Sequence, residues 1–486
     1  MTPNALTMYE ETSFWARDYG PYTPNAALME PIEVDVAVVG GGFLGLNAAR
    51  EFKNDNPNAR VAVLEGAVIG YGASGRNAGF SMTLFGLEPQ VTKLRWGKER
   101  TAEACRYMVK AVNFTKALVA DHRLDSDYFH PGLLRVGYSA PQVKTLEGAY
   151  RVYEDLGVAN EMGMRWVEQD ELRSQFNSPL FTRGLFETHA GLLHPCKHVR
   201  ELKRLALAAG AEVYEQTPVT SIEREVDAVL LTTPGGIVRA QKVLLATNAY
   251  THLLRGLRGI RSRQFPAWTS VIVTERLTEA QWASIGWDNR QAMEDSRQLI
   301  HYFRPTADGR ILIGGQDIHS PLGAQDNMDH DFSPPVWRGL EGHLKRMFPS
   351  LAEVKVAYRW SGAVSVNLDM TPEIGFVGDE RIICSTGCLG HGVSLSHLNG
   401  RLIADLLNDE KTELTDFWIV NRKAIRLPGK LLPFAAVRGV RATLRSLDRV
   451  QERNMPAYDS SEVESWEQRR VRPVKDPEPV QAGEVV

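Results

Sequence analysis

Residues 34–52 read VDVAVVGGGFLGLNAAREF, and a chain carrying this string has few folds open to it. Val34 to Val39 is a β-branched run without charge after Asp35, the pattern of a buried parallel strand. It runs directly into Gly40, Gly42 and Gly45, spaced G-x-G-x-x-G. The first glycine permits a tight turn. The second lets backbone approach a pyrophosphate, and the third lets the next helix pack close to the strand. That helix is predicted to start near Phe43 and Leu44, so that its free N–H groups and its dipole face the phosphates.

A second strand, Val61 to Leu64, ends in Glu65 and Gly66. The fingerprint expects a carboxylate about 20 residues past its glycines, to accept hydrogen bonds from a ribose. Strand, glycines, helix, second strand and acid in register therefore predict a dinucleotide site. The alternative is a glycine-rich turn in an ordinary βαβ unit. Ribose contact alone does not separate NAD from FAD.

The next segment bears on that choice. Gly70-Tyr71-Gly72-Ala73-Ser74-Gly75-Arg76-Asn77-Ala78-Gly79 is too rich in glycine for a packed helix and reads as a loop shaped around a flat ligand. Here the sequence resembles the D-amino-acid-oxidase-like superfamily of FAD enzymes, and within it the γ-glutamylputrescine oxidase subgroup. The resemblance implies an α/β fold: a Rossmann-like FAD-binding domain with an inserted α+β substrate domain, of the glutathione-reductase-2-like, sarcosine/D-amino-acid oxidase type. It implies that Gly72, Ala73, Ser74, Arg76, Asn77, Ala78 and Gly79 lie against the cofactor, with Arg76 and Asn77 near the ring. It also implies a backbone contact to adenine at Val219 and places Thr247, in the string Ala246-Thr247-Asn248-Ala249-Tyr250, near the dinucleotide. Trp360-Ser361-Gly362 and Asp369-Met370-Thr371-Pro372-Glu373-Ile374-Gly375 carry the resemblance further along the chain.

A second glycine-to-helix junction follows. Gly390-His391-Gly392-Val393-Ser394 leads into Leu395, Leu398, Leu402 and Leu406, recurring at three and four as on an amphipathic helix. By the resemblance this helix start faces the pyrimidine edge of the flavin, where its dipole stabilises negative charge on reduction. Two such junctions so far apart in sequence suit one long cofactor.

The 486 residues suffice for two or three domains, with 43% hydrophobic and 24% charged content. The net charge of −3 gives no reason to invoke nucleic acid. Cys105, Cys196, Cys384 and Cys388 form no C-x-x-C, which suits a reducing compartment. With no apolar signal region near the start and no membrane-length apolar run, the expected location is the cytoplasm.

The expected organisation is a leader at 1–31, a discontinuous FAD-binding domain at 32–90, 195–250 and 350–410, and a substrate domain at 91–194 and 251–349. A basic helical extension at 411–454 and a disordered tail at 455–486 complete it. Ser13-Phe14-Trp15 matches a Ser-aromatic pair in the leaders of the subgroup, which implies a leader lying across the FAD domain. His194, Cys196 and His198 lack the paired spacing of a structural zinc site, so no metal is expected. His194 is expected to face the active site. In the extension, Arg438, Arg441, Arg445 and Arg449 share one helix face and Val437, Val440, Leu444 and Leu447 another. Two readings stand: a peripheral membrane or partner contact through 427–450, or a helix packed on its own body with a solvated arginine face.

The chemistry the resemblance implies is oxidation of the C–N bond of a primary or secondary amine, a polyamine derivative or an amino acid. Hydride passes to the flavin, the imine hydrolyses to a carbonyl, and O2 is the acceptor. The cofactor carries the hard step, so no triad is expected. His391 is the expected polar group at the ring, Tyr302 a roof residue, and Trp268 and Trp360 an aromatic wall for an aminium ion. Plain packing is the alternative for each. Sarcosine oxidases attach flavin to a cysteine after the tryptophan-glycine signature; none lies between Trp360 and Ile383, so noncovalent FAD is expected. Those enzymes also place a lysine over the ring where this chain has Leu312 and Ile313, which leaves a dehydrogenase open. A flavin hydroxylase and a non-catalytic FAD-binding partner are the remaining alternatives.

Overall fold

The β-branched run forms the strand Ile32–Val39 at the centre of an eight-stranded sheet. Val61–Leu64 and then Glu212–Tyr214 continue the sheet on one side, and Gly236–Leu245 and Asp379–Thr386 on the other, all parallel. A parallel strand needs a crossover, and helices supply it on one face: Phe43–Asp55, Pro195–Ala208 and Gly392–Leu407. Val36, Val38, Val61 and Val63 point into those helices, while Ala37, Val39, Ala62 and Leu64 point into the core on the opposite face. Burial on both sides is why these strands read as unbroken apolar runs. The computed structural model describes residues 12–320, 328, 330–429 and 431–452.

A second eight-stranded sheet is assembled from strands far apart in sequence. Its order is Val356–Val366, Phe265–Thr274, Ile311–His319, His301–Pro305, Ala292–Asp295, Leu133–Gly137, Arg183–Glu187, Met164–Val167. One face packs on the helix Pro334–Met347 and an aromatic core including Phe303, Trp287 and Phe348. The other looks towards the first domain through Trp15, Phe80, Leu312 and Trp360. The long helix Pro89–Asp121 is interrupted at Gly97, whose φ of 83° is open to glycine and strained for other residues.

At the front of the chain, Ser13 caps the helix Phe14–Tyr19, whose Phe14 and Trp15 are buried. Tyr22 and Asn25 then bond Glu215, which seats the segment against the first sheet. At the other end, 411–429 is not helical. Arg422 pairs with Asp369 and Arg426 with Glu373, fastening it to the body.

The helix Leu431–Glu452 packs on the protein's own body, with Arg438, Arg445 and Arg449 exposed. Val437, Arg441, Leu444 and Asp448 face the protein. Arg441 and Arg445 pair with buried Asp317, and Asp448 accepts the amides of Gln298 and Leu299 at 2.8 and 3.0 Å. Val440, Leu447 and Val450 are the exposed residues. Of the arginine face, Arg441 is the half-buried member, drawn with the partly exposed Arg445 to Asp317 because a buried carboxylate needs a cation. The expected tail at 455–486 lies outside the described residues.

Candidate active site

The two glycine junctions open into one cleft. Gly42, Phe43, Leu44, Ala73, Ser74 and Asn77 line it from the first half of the chain, and Gly390, Gly392 and Val393 from the second. Ala246, Asn248, Val364, Thr386 and Cys388 form part of the remaining wall, around about 770 Å³ of space that is partly open to solvent.

The glycines explain how backbone reaches this cleft. Gly40 has φ of +109°, and a Cβ there would stand 2.7 Å from the carbonyl oxygen of Ala246. A Cβ on Gly45 would lie 2.0 Å from Gly40 O, and one on Gly42 would lie 2.8 Å from Ser74 Oγ. The helices Phe43–Asp55 and Gly392–Leu407 touch through Gly400, where a Cβ would come 2.6 Å from that of Asn47. This contact brings the two N-termini side by side, so both positive dipole ends face the same space.

The loop after the second strand is held by its carbonyls. Ser13 Oγ donates to Gly75 O at 2.9 Å and Trp360 Nε1 to Arg76 O at 2.8 Å. Trp15 Nε1 donates to Asn77 O at 2.8 Å, and Arg304 to Ala78 O at 3.1 Å and Leu193 O at 2.8 Å. Four consecutive carbonyls are thus fixed by four distant side chains, which hold the loop beyond its single 3₁₀ turn, Ala73–Gly75. Arg304 is buried among carbonyls, and burial lowers its pKa to about 9.

The other predicted cofactor residues are distributed as follows. Glu65 accepts the amides of Gly41 and Ala67, and burial raises its pKa. Gly66 faces Pro218, and Val219 joins the core beside the first sheet. Thr247 bonds Thr251 and Ser394 donates to Met82 O. Neither borders the cleft, nor do Gly40, Gly45, Gly72, Ala78 and Gly79, which shape it from behind. Arg76 is turned away from the cleft lining. It pairs with Asp331, donates to Tyr71 O and Ser361 O, and lies over the Tyr71 ring.

Of the four residues expected at the ring, Tyr302 and Trp360 share one row, and Trp268 and His391 lie apart from it and from each other. Trp360, Val271, Gly314, Tyr302, Glu294 and Arg135 are register partners in turn, so their side chains form one row across the second sheet. That row is on the face turned to the cofactor domain. Gly314 gives the Tyr302 ring its room, since a Cβ there would sit 2.4 Å from it. Trp268 lies outside the row and donates to Asp331 at 3.0 Å. His391 caps the helix Gly392–Leu407 without a side-chain hydrogen bond, and its Nδ1 is buried and unpartnered. Burial, and then the charge of Arg135, lower its pKa to about 4, so it is neutral at physiological pH. His194 does not face the cleft: it caps the helix Pro195–Ala208 and lies beside Trp15 and Asp18.

Sequence reasoning missed Arg135, Glu187 and Glu294. Their signal was a charge at an alternate position of an apolar strand, as in Leu133-Leu134-Arg135-Val136, where a buried charge needs a partner.

Comparison with known proteins agrees with this geometry. The model of the family described as FAD dependent oxidoreductase, DAO, matches residues 35–406. The gamma-glutamylputrescine oxidoreductase of Escherichia coli (strain K12) is 32% identical over 443 residues, covering 90% of this chain and 99% of that protein. The crystal structure of glycine oxidase from Geobacillus kaustophilus superposes with a TM-score of 0.67 at 21% identity, covering 81% of this chain and 100% of the other. That of L-proline dehydrogenase from P. horikoshii gives 0.67 at 20%, covering 84% and 99%. At these identities the two structures speak to the fold.

Proposed function

The chain belongs to the DAO family of FAD-dependent oxidoreductases, and on that footing we propose that it oxidises the C–N bond of a primary or secondary amine. The observation that carries the reading is the meeting of two helix N-termini in one cleft, with Tyr302 and Trp360 on the face of the second sheet turned to the cofactor domain. The residues present suit FAD. Two glycine junctions expose backbone amides towards a diphosphate and a flavin edge, and Glu65 has lone pairs left for ribose after its two amide bonds. The relative named for γ-glutamylputrescine supports an amine as substrate.

FAD, when bound, supplies the acceptor for the hydride and electron pair that leave the substrate. The protein's part is to bind, orient and dry the amine. Tyr302 and Trp360 give the aromatic surface under which it lies. The paired N-termini favour negative charge at the cleft. His391, neutral and with Nδ1 free of a partner, offers a hydrogen bond without adding a charge that would repel an aminium ion. The imine product hydrolyses to a carbonyl compound and an amine or ammonia. FAD is held noncovalently: Cys388 borders the cleft, but burial raises its thiol pKa and it faces Asn248 Oδ1 at 3.4 Å.

O2 is the proposed acceptor. A dehydrogenase is the second reading, favoured by buried, apolar Leu312 on the face turned to the cofactor domain. The test is anaerobic mixing of the yellow protein with polyamines, N-methyl amino acids and ω-amino acids, followed by admission of air. Bleaching by an amine alone supports the proposal, and peroxide on reoxidation supports the oxidase. Reduction only by NADPH points to a hydroxylase. No reduction by any donor leaves a cofactor-binding partner.

A further inference from the structure

We infer that the acidic end of the roof row, Glu294 with Glu187 and Glu88 around Arg135, is a subsite for a second, cationic amino group on the substrate. This rests on the amine-oxidation reading and adds to it the substrate class: molecules with two amino groups, one oxidised and one protonated and held.

Glu294 follows Tyr302 in the row, and Arg135 follows Glu294. Glu187 enters from the next strand, paired with Leu133, and Thr83 faces it. Arg135 pairs with Glu88 and stands 3.7 Å from Glu294 through Nε. Met82, the neighbour of Thr83, accepts at 3.0 Å from Ser394 of the helix Gly392–Leu407, which ties the group to the helix start at the cleft. The side chains of Arg135, Glu187 and Glu294 are about nine-tenths buried or more.

Three carboxyl groups therefore stand around one guanidinium, which pairs with Glu88 and Glu294. Buried charges are stable when paired, and a lone buried carboxylate is costly. The imbalance has a geometric mark as well: Glu187 Oε1 and Glu88 Oε2 are buried without a hydrogen-bond partner. A structural ion pair has no use for surplus acceptors. An alkylammonium has three donors on a compact charge, and it supplies both what the oxygens and what the electrostatics lack. The subsite adjoins the aromatic row, so an aliphatic spacer would run past Tyr302 from the reacting carbon to the carboxylates. A substrate with a carboxylate at its far end would meet three carboxyl groups beside one guanidinium and be disfavoured.

The test uses the holoenzyme and matched probes, n-alkylamines and α,ω-diaminoalkanes of equal chain length, with ω-amino acids as the third series. The anaerobic bleaching of bound flavin is followed against probe concentration. The expected result is a diamine affinity at least about tenfold above that of the monoamine at one chain length. In Glu294→Gln and in Glu187→Gln the ratio should fall to about twofold, through the half-saturating concentration rather than the limiting rate, with flavin content retained. Bleaching by both series with no preference in the wild type overturns the inference alone, as does preference for the ω-amino acids. Bleaching by no amine overturns the parent reading and this one with it. Should either variant lose flavin, the other and the wild-type ratio still decide.

Discussion

The cofactor cleft and the roof row lie next to each other and are built on opposite principles. The cleft is made of backbone: a Cβ on Gly40 or Gly45 would come within 2.7 or 2.0 Å of a backbone carbonyl oxygen, and two helix starts border the space. The row is made of side chains contributed by separate strands, from Arg135 to Trp360, aligned by hydrogen-bond register. A backbone site can be written in a few adjacent residues, because steric demand acts locally. A site set by register has no local spelling. The comparison also predicts that cofactor retention and substrate choice are separable.

The hardest blow to the cleft is Gly45→Ala. It places a Cβ 2.0 Å from Gly40 O, a backbone atom that cannot step aside. The expected outcome is a purified protein with at least about tenfold less flavin per chain, read from the absorbance spectrum. Arg304→Met comes next. It frees the carbonyls of Ala78 and Leu193 in a buried place, at a cost of about 1–3 kcal/mol for each unpartnered group. Flavin content should fall several-fold while the circular dichroism of the fold is kept. An unchanged content would show that the loop needs no such tether.

The row has its own signature in pH. Burial raises the carboxyls of Glu187 and Glu294 to about 7, above the ordinary value of 4.5. The folded chain thus binds these protons more tightly than the unfolded chain. Their contribution to stability is greatest below about pH 4.5 and is lost as the pH rises towards 7. Chemical unfolding of Glu294→Gln alongside wild type should show the wild type losing on the order of 1–3 kcal/mol relative to the variant across that window. Parallel curves would mean that Glu294 titrates normally and that the row is not a desolvated site.

Asp317→Asn is the mildest change. It removes the partner of Arg441 and Arg445, both partly exposed, so a loss on the order of 1 kcal/mol is expected, seen as a small drop in the melting temperature. Flavin content and diamine preference should not move. If either did, the helix Leu431–Glu452 would belong to the site.

The legible parts of the sequence follow the same division. The central strands, both glycine junctions and the hairpin between His301–Pro305 and Ile311–His319 stand in the residues themselves, through β-branched runs, glycine spacing and a Thr-Ala-Asp-Gly turn. The tethering of 75–78 by Ser13, Trp15, Trp360 and Arg304 was hidden, because a carbonyl's partner leaves no trace in local sequence. The pairing of Arg441 and Arg445 with a buried carboxylate was hidden for a related reason. The residue that draws them, Asp317, belongs to a strand more than a hundred positions upstream.

The most direct test is diffraction from yellow crystals of the protein with FAD bound. The account predicts density running from the amides at Gly42 and Phe43 to the turn at Gly390–Gly392, with the ring facing Tyr302 and Glu294. Cofactor density elsewhere, or a ring with its back to that row, would contradict it.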